Sequence, residues 1–148
     1  MSKCYAVAGP SGSGTGPLTA AGVGATAAIR PMVNEFDCGC TTTPADVILT
    51  VRLASTNTSL GTSTSQTPSP LDPGDVASVS VGGITYTAEP TLNKEIIKIG
   101  LNARATYRWV AQDGREVTIA AGAATGAALT MVLAGSASVL TGNIIFRE

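Results

Sequence analysis

Near the start of the chain, Tyr5-Ala6-Val7-Ala8-Gly9-Pro10-Ser11-Gly12-Ser13-Gly14-Thr15-Gly16 has the outline of a phosphate-binding loop, with Gly9 and Gly14 after an apolar run. That chemistry needs a lysine after the last glycine, then a hydroxyl for Mg²⁺ and a helix N-terminus facing the anion. Thr15 stands at the lysine position, Gly16 at the hydroxyl position, and Pro17 follows. The segment therefore lacks the groups that would hold a nucleotide. The thiols Cys4, Cys38 and Cys40 could offer three soft ligands to zinc, but the chain has no histidine and no evident fourth ligand. An odd count also leaves no complete disulfide framework. They are read as free, partly buried thiols, with a crosslink as the alternative, and no metal or cofactor is expected. Absence of histidine removes the commonest general base. No Gly-x-Ser-x-Gly elbow is present, and nothing pairs the scattered carboxylates across a cleft as a glycosidase would. The chain is not expected to be an enzyme. Trp109, beside Tyr107 at strand spacing, reads as a core anchor, with a sugar-stacking platform as its functional alternative. Asn57-Thr58-Ser59 matches a glycosylation acceptor, but no secretory leader is read before it, so the match is taken as chance.

Composition narrows the classes further. A chain of 148 residues fits one domain. Charged residues are only 13%, about half the usual share, and Gly, Thr and Ser fill the gap. So few charges suit a protein whose surface is covered by partners. Net charge is -1 and no Lys/Arg cluster exists, so nucleic acid is not an expected partner. The stretch from Val117 to Phe146 carries no charge, and Gly122 and Gly126 have the spacing of packed membrane helices. Gly, Ser and Thr interrupt it, however, and Leu129, Met131 and Leu133 alternate with Ala128, Thr130 and Val132. That is a strand pattern, and no membrane span is expected.

The elements that would position these groups are strands. Residues 1–28 read as an extended N-terminal arm: Cys4–Ala8 is a short apolar run and a strand candidate, and Gly9–Ala28 is rich in Gly, Ser, Pro, Thr and Ala without charge or clear period. Residues 29–148 read as one antiparallel β-sandwich or jelly-roll-like domain. Within it, Ile29–Phe36 is strand-like and Asp37-Cys38-Gly39-Cys40 turn-like. In Asp46–Ser55, Val47, Leu49, Val51 and Leu53 share one face. Asn57–Asp75 reads as a long polar loop, and Val79–Ala88 as a hairpin around Gly82-Gly83. Ile97, Ile99 and Leu101 share a face, as do Tyr107, Trp109 and Ala111. A turn through Asp113-Gly114 then leads into a return strand at Val117 and Ile119. About eight or nine short strands and no amphipathic helix make this an all-β protein.

Three segments carry a family resemblance: Pro70-Leu71-Asp72-Pro73-Gly74-Asp75, then Thr106–Ala111 running into Gly114-Arg115-Glu116-Val117, then Gly142-Asn143-Ile144-Ile145-Phe146-Arg147-Glu148. Over roughly 46–148 the chain resembles the capsid decoration, or cement, proteins of tailed phages. The resemblance implies a β-sandwich on the outside of a virion shell, made in the host cytoplasm. It also implies a trimer that bridges subunits of the major capsid protein and stabilises the shell by many weak contacts. Leu18, Val23 and Ile29 are the expected anchors of the arm. Leu71 and Tyr86 are expected interface groups, with ordinary loop and core roles as equal alternatives, and Arg104 and Arg108 are expected either to meet acidic capsid residues or to cover a sheet face. The competing class is a carbohydrate- or receptor-binding β-sandwich module of a tail or fibre, with Trp109 and Tyr107 as its platform.

Overall fold

A computed structural model describes residues 3–135 and 137–148. Twelve strands run in order: β1 (Cys4–Pro10), β2 (Leu18–Gly24), β3 (Met32–Cys40), β4 (Ile48–Thr56), β5 (Thr62–Gln66), β6 (Ser69–Pro70), β7 (Val81–Ala88), β8 (Leu92–Asn102), β9 (Tyr107–Val110), β10 (Val117–Thr118), β11 (Gly126–Leu133) and β12 (Leu140–Arg147). They form two antiparallel sheets of six strands: the smaller, with fewer residues in its strands, is ordered β10-β3-β12-β1-β6 with β9 also on β3, and the larger is ordered β5-β7-β2-β11-β4-β8. The sheets pack face to face as an all-β sandwich, as the strand pattern predicts. No α-helix occurs among the described residues, so none is long and apolar enough to cross a membrane.

The core follows from alternation. Leu49, Val51 and Leu53 of β4 are fully buried and sit opposite Leu101, Ile99 and Ile97 of β8. Leu129 and Met131 of β11 continue that inner face, and Val7, Phe36, Ile144 and Phe146 answer from the other sheet. Burying each such side chain contributes about 2 kcal/mol.

The described part of the expected arm (3–28) instead supplies two strands. β1 pairs with β12 over seven residues, and β2 lies between β7 and β11, buried along its whole length. A side chain built on Gly22 would come within 2.1 Å of the Tyr86 hydroxyl, and one on Gly24 within 2.8 Å of Leu60. Small residues are what a central strand needs when both of its faces are covered. They leave no period to read.

Four local expectations also change. Asp37-Cys38-Gly39-Cys40 is not a turn: β3 runs through it, paired with β12 on one side and with β9 on the other. The expected long loop at 57–75 contains β5 and β6. Gly82 and Gly83 do not turn a hairpin but lie inside β7, opposite Val23 and Gly22 of β2. The tight turn at Asp113-Gly114 is present, with Gly114 at φ +77° and the Arg115 N–H donating to the Gln112 carbonyl at 2.9 Å. The strand after it does not return along β9. Both β9 and β10 pair with β3, in succession along the same edge, so 111–116 is an excursion from one continuous pairing.

Thr85 decides what β7 presents. It sits at φ +49°, rare for a β-branched residue, beside a register shift between β5 and β7. The irregularity breaks the alternation. Ile84 points inward against Gly9 of β1, while Tyr86 lies on the outer face over Gly22 and Gly83.

The candidate interaction surface

Exposed apolar side chains concentrate between β6 and β7. Leu71, Val76, Val79 and Val81 are each at least half exposed, at 54%, 63%, 53% and 50%. The segment that carries them is fastened at several points. The Gly74 N–H donates to the Asp72 carboxylate at 2.9 Å, and the Asp75 N–H to the Asp72 carbonyl at 3.0 Å, the backbone-mimicking turn that Asp favours. The Tyr5 hydroxyl donates to the Val76 carbonyl at 3.1 Å.

Beyond Val76, the Glu148 carboxylate receives the Ser78 hydroxyl at 2.6 Å and the Ser80 and Val79 N–H groups at 2.8 and 3.2 Å. Burial works to raise the Glu148 carboxyl, but these donors together outweigh it and hold its pKa below the ordinary value. Apolar groups on such a tethered segment lose little freedom when a partner covers them, which favours binding.

The residues expected at an interface fall into three groups. Leu18 and Val23 are buried inside the sandwich, at 8% and 0% exposure, and Tyr86 is buried at 8%. These three face neighbours within the chain rather than a partner. Burial, aided by the nearby Glu89 charge and opposed by a hydrogen bond from Ser63, pushes the Tyr86 hydroxyl up to about 12. Ile29 is half-buried in the connection between β2 and β3. Leu71, Arg104 and Arg108 are exposed. Arg104 pairs with Asp46 at 2.9 Å and Arg108 with Glu35, both with the guanidinium mostly in solvent. Such surface pairs contribute less than about 1 kcal/mol. Val76, Val79 and Val81 were not among the expected contacts. Their exposure depends on where β7 begins, and the sequence pattern does not mark that point.

Trp109 is half-buried and stacks on Phe36, with ring centroids 5.5 Å apart and an interplanar angle of 24°. Tyr107 lies against the same ring at 6.0 Å. Both complete the core at the edge of the smaller sheet. Cys38 is buried, its thiol pushed up to about 12 by burial and by the Asp37 charge, while Cys4 and Cys40 are half-buried and free. Among the described residues no three His, Cys, Asp or Glu side chains are grouped to hold a metal ion.

No protein-family model matches the chain, and comparison with curated proteins and with solved structures yields no significant match.

Proposed function

We propose that the chain is a virion structural protein that decorates and stabilises a tailed-phage capsid, bridging neighbouring capsid subunits on the shell exterior as a trimer. The observation that carries this reading is the tethered apolar segment Leu71–Val81. It offers a pre-formed hydrophobic contact on a β-sandwich whose surface carries few charges. The family resemblance of 46–148 supports the same reading. The tail-fibre alternative rested on Trp109 and Tyr107 as a platform, and their packing on Phe36 removes most of its support.

The test is sedimentation of the purified chain with mature shells that lack it. The wild-type chain co-sediments, and the double substitution Leu71→Asp, Val79→Asp weakens this by at least about tenfold while the circular dichroism spectrum is unchanged. A wild-type chain that stays monomeric and remains in the supernatant overturns the reading.

A further inference from the structure

On the outer face of the larger sheet, polar side chains form a row across three central strands. Thr19 of β2 pairs with Thr130 of β11, and Thr130 pairs with Arg52 of β4. The two threonine hydroxyls lie 3.1 Å apart and both residues are buried. A carboxylate stands at each end. Glu89 accepts the Thr19 N–H at 2.9 Å, and Glu95 accepts from Nη1 of Arg52 at 2.8 Å. Nε of Arg52 is buried and has no partner. A hollow of about 280 Å³ lies over the row, and its remaining walls are apolar, from Pro90, Leu92 and Pro17.

Leaving a guanidinium N–H buried without an acceptor is unfavourable by about 1–3 kcal/mol, so such groups are normally satisfied by the protein or by something bound. A cation entering the hollow meets Arg52. An anion meets Glu89, and Glu95 already neutralises much of the Arg52 charge. A neutral group carrying adjacent hydroxyls suits both ends, because each hydroxyl donates to a carboxylate and accepts from a guanidinium. Proline and leucine walls match the C–H face of a ring. Burial also raises the Glu89 carboxyl above its ordinary value, while hydrogen bonds from Thr19 lower it in part. A bound hydroxyl would give that carboxylate a further donor.

We infer that this hollow is a binding site for one sugar ring with adjacent hydroxyls, held between Glu89 and Arg52 over Thr19 and Thr130. The inference is independent of the capsid reading and applies whatever particle the chain serves.

The test is a titration of the full ¹⁵N-labelled chain, read by NMR at the Thr19 and Thr130 amides and the Arg52 Nε–H. Methyl glycosides of glucose, galactose and mannose are the probes, with methylammonium and acetate alongside. At least one glycoside gives saturable shifts at all three groups, and Glu89→Gln weakens it by about tenfold, as expected for loss of a charge-assisted hydrogen bond. Should Glu89→Gln fail to fold, Thr130→Val, which keeps the shape and removes one hydroxyl, weakens binding in the same direction. The inference is overturned if no glycoside shifts these groups, or if methylammonium or acetate shifts them and no glycoside does. Unchanged glycoside affinity in a folded variant overturns it too.

Discussion

The two flanks of the sandwich are built differently although both join the same two sheets. On one flank, β1 of the smaller sheet lies against β7 of the larger. A Cβ at Gly9 would meet Ile84 at 2.6 Å, and one at Gly82 would meet the Gln66 carbonyl at 2.4 Å and Val7 at 2.8 Å. Gln66 at the end of β5 closes the seam: its amide donates to the Ala8 carbonyl and accepts the Ala8 N–H, both at 3.1 Å. Only Thr67 and Pro68 separate β5 from β6, so the chain steps straight from one sheet to the other. On the opposite flank, β8 and β9 are joined by 103–106 but part beyond it. Ile97, Ile99, Leu101, Trp109 and Val117 are only half-buried there, and a hollow of about 280 Å³ opens between the start of β8 and β10. Sheets approach closely where glycine permits. Where large side chains meet, they stand apart and the edge stays partly wet.

The same chemical change on each flank should therefore have very unequal consequences. Gly82→Ala forces backbone or Val7 to move and is expected to lower unfolding stability by about 3 kcal/mol, read from urea denaturation. Gly100→Ala on β8 meets nothing within 4 Å and should lie within about 0.5 kcal/mol of wild type. Equal losses at the two positions would end the distinction.

A smaller contrast separates how the flanks are held. Trp109→Ala, on the open flank, removes half-buried aromatic packing and should lose about 2 kcal/mol, below the figure for a fully buried tryptophan. Gln66→Ala, on the sealed flank, deletes two hydrogen bonds at a partly exposed site and should lose about 1 kcal/mol. A larger loss at Gln66 than at Trp109 would mean that the seam, rather than the packing, holds the sheets together.

The smallest effect is expected from pH. Glu148 has a folded pKa below its ordinary 4.5, so its contribution is present above that value and is lost as pH falls through the depressed one. The stability difference between wild type and Glu148→Gln should be about 1 kcal/mol at neutral pH, discounted for partial exposure, and should shrink below about pH 4. A difference that does not change with pH would show that the carboxylate's charge does not hold the Ser78–Ser80 segment.

How far the sequence is legible follows the same physical lines. The faces of β4 and β8 are plain in Leu49, Val51, Leu53, Ile97, Ile99 and Leu101, because one side of each strand is apolar and the other is not. Trp109 reads as a core anchor for the same reason, and it packs half-buried on Phe36 at the edge of the core. In β2 the pattern is silent, because cover on both faces selects Gly, Ala or Thr at five of its seven positions, and that composition is shared with flexible arms. Gly82-Gly83 and Cys38-Gly39-Cys40 mislead alike: glycine there makes room for a neighbour rather than a turn. The row Thr19, Thr130, Arg52 and Glu89 was not legible at all. Its members come from four separate segments, and only strand register brings them together.

The strand order has a consequence for how the molecule is made. β12 lies between β3 and β1, and β11 lies between β2 and β4, so the two of these twelve strands that are synthesised last occupy interior positions, one in each sheet. Until they emerge from the ribosome, the first four strands have open hydrogen-bonding edges and lack their principal neighbours. Assembly must then close loops of about a hundred residues, which makes such topologies slow to fold and exposed to mispairing on the way. A nascent chain stalled before Gly126 would hold most of the strands and neither finished sheet.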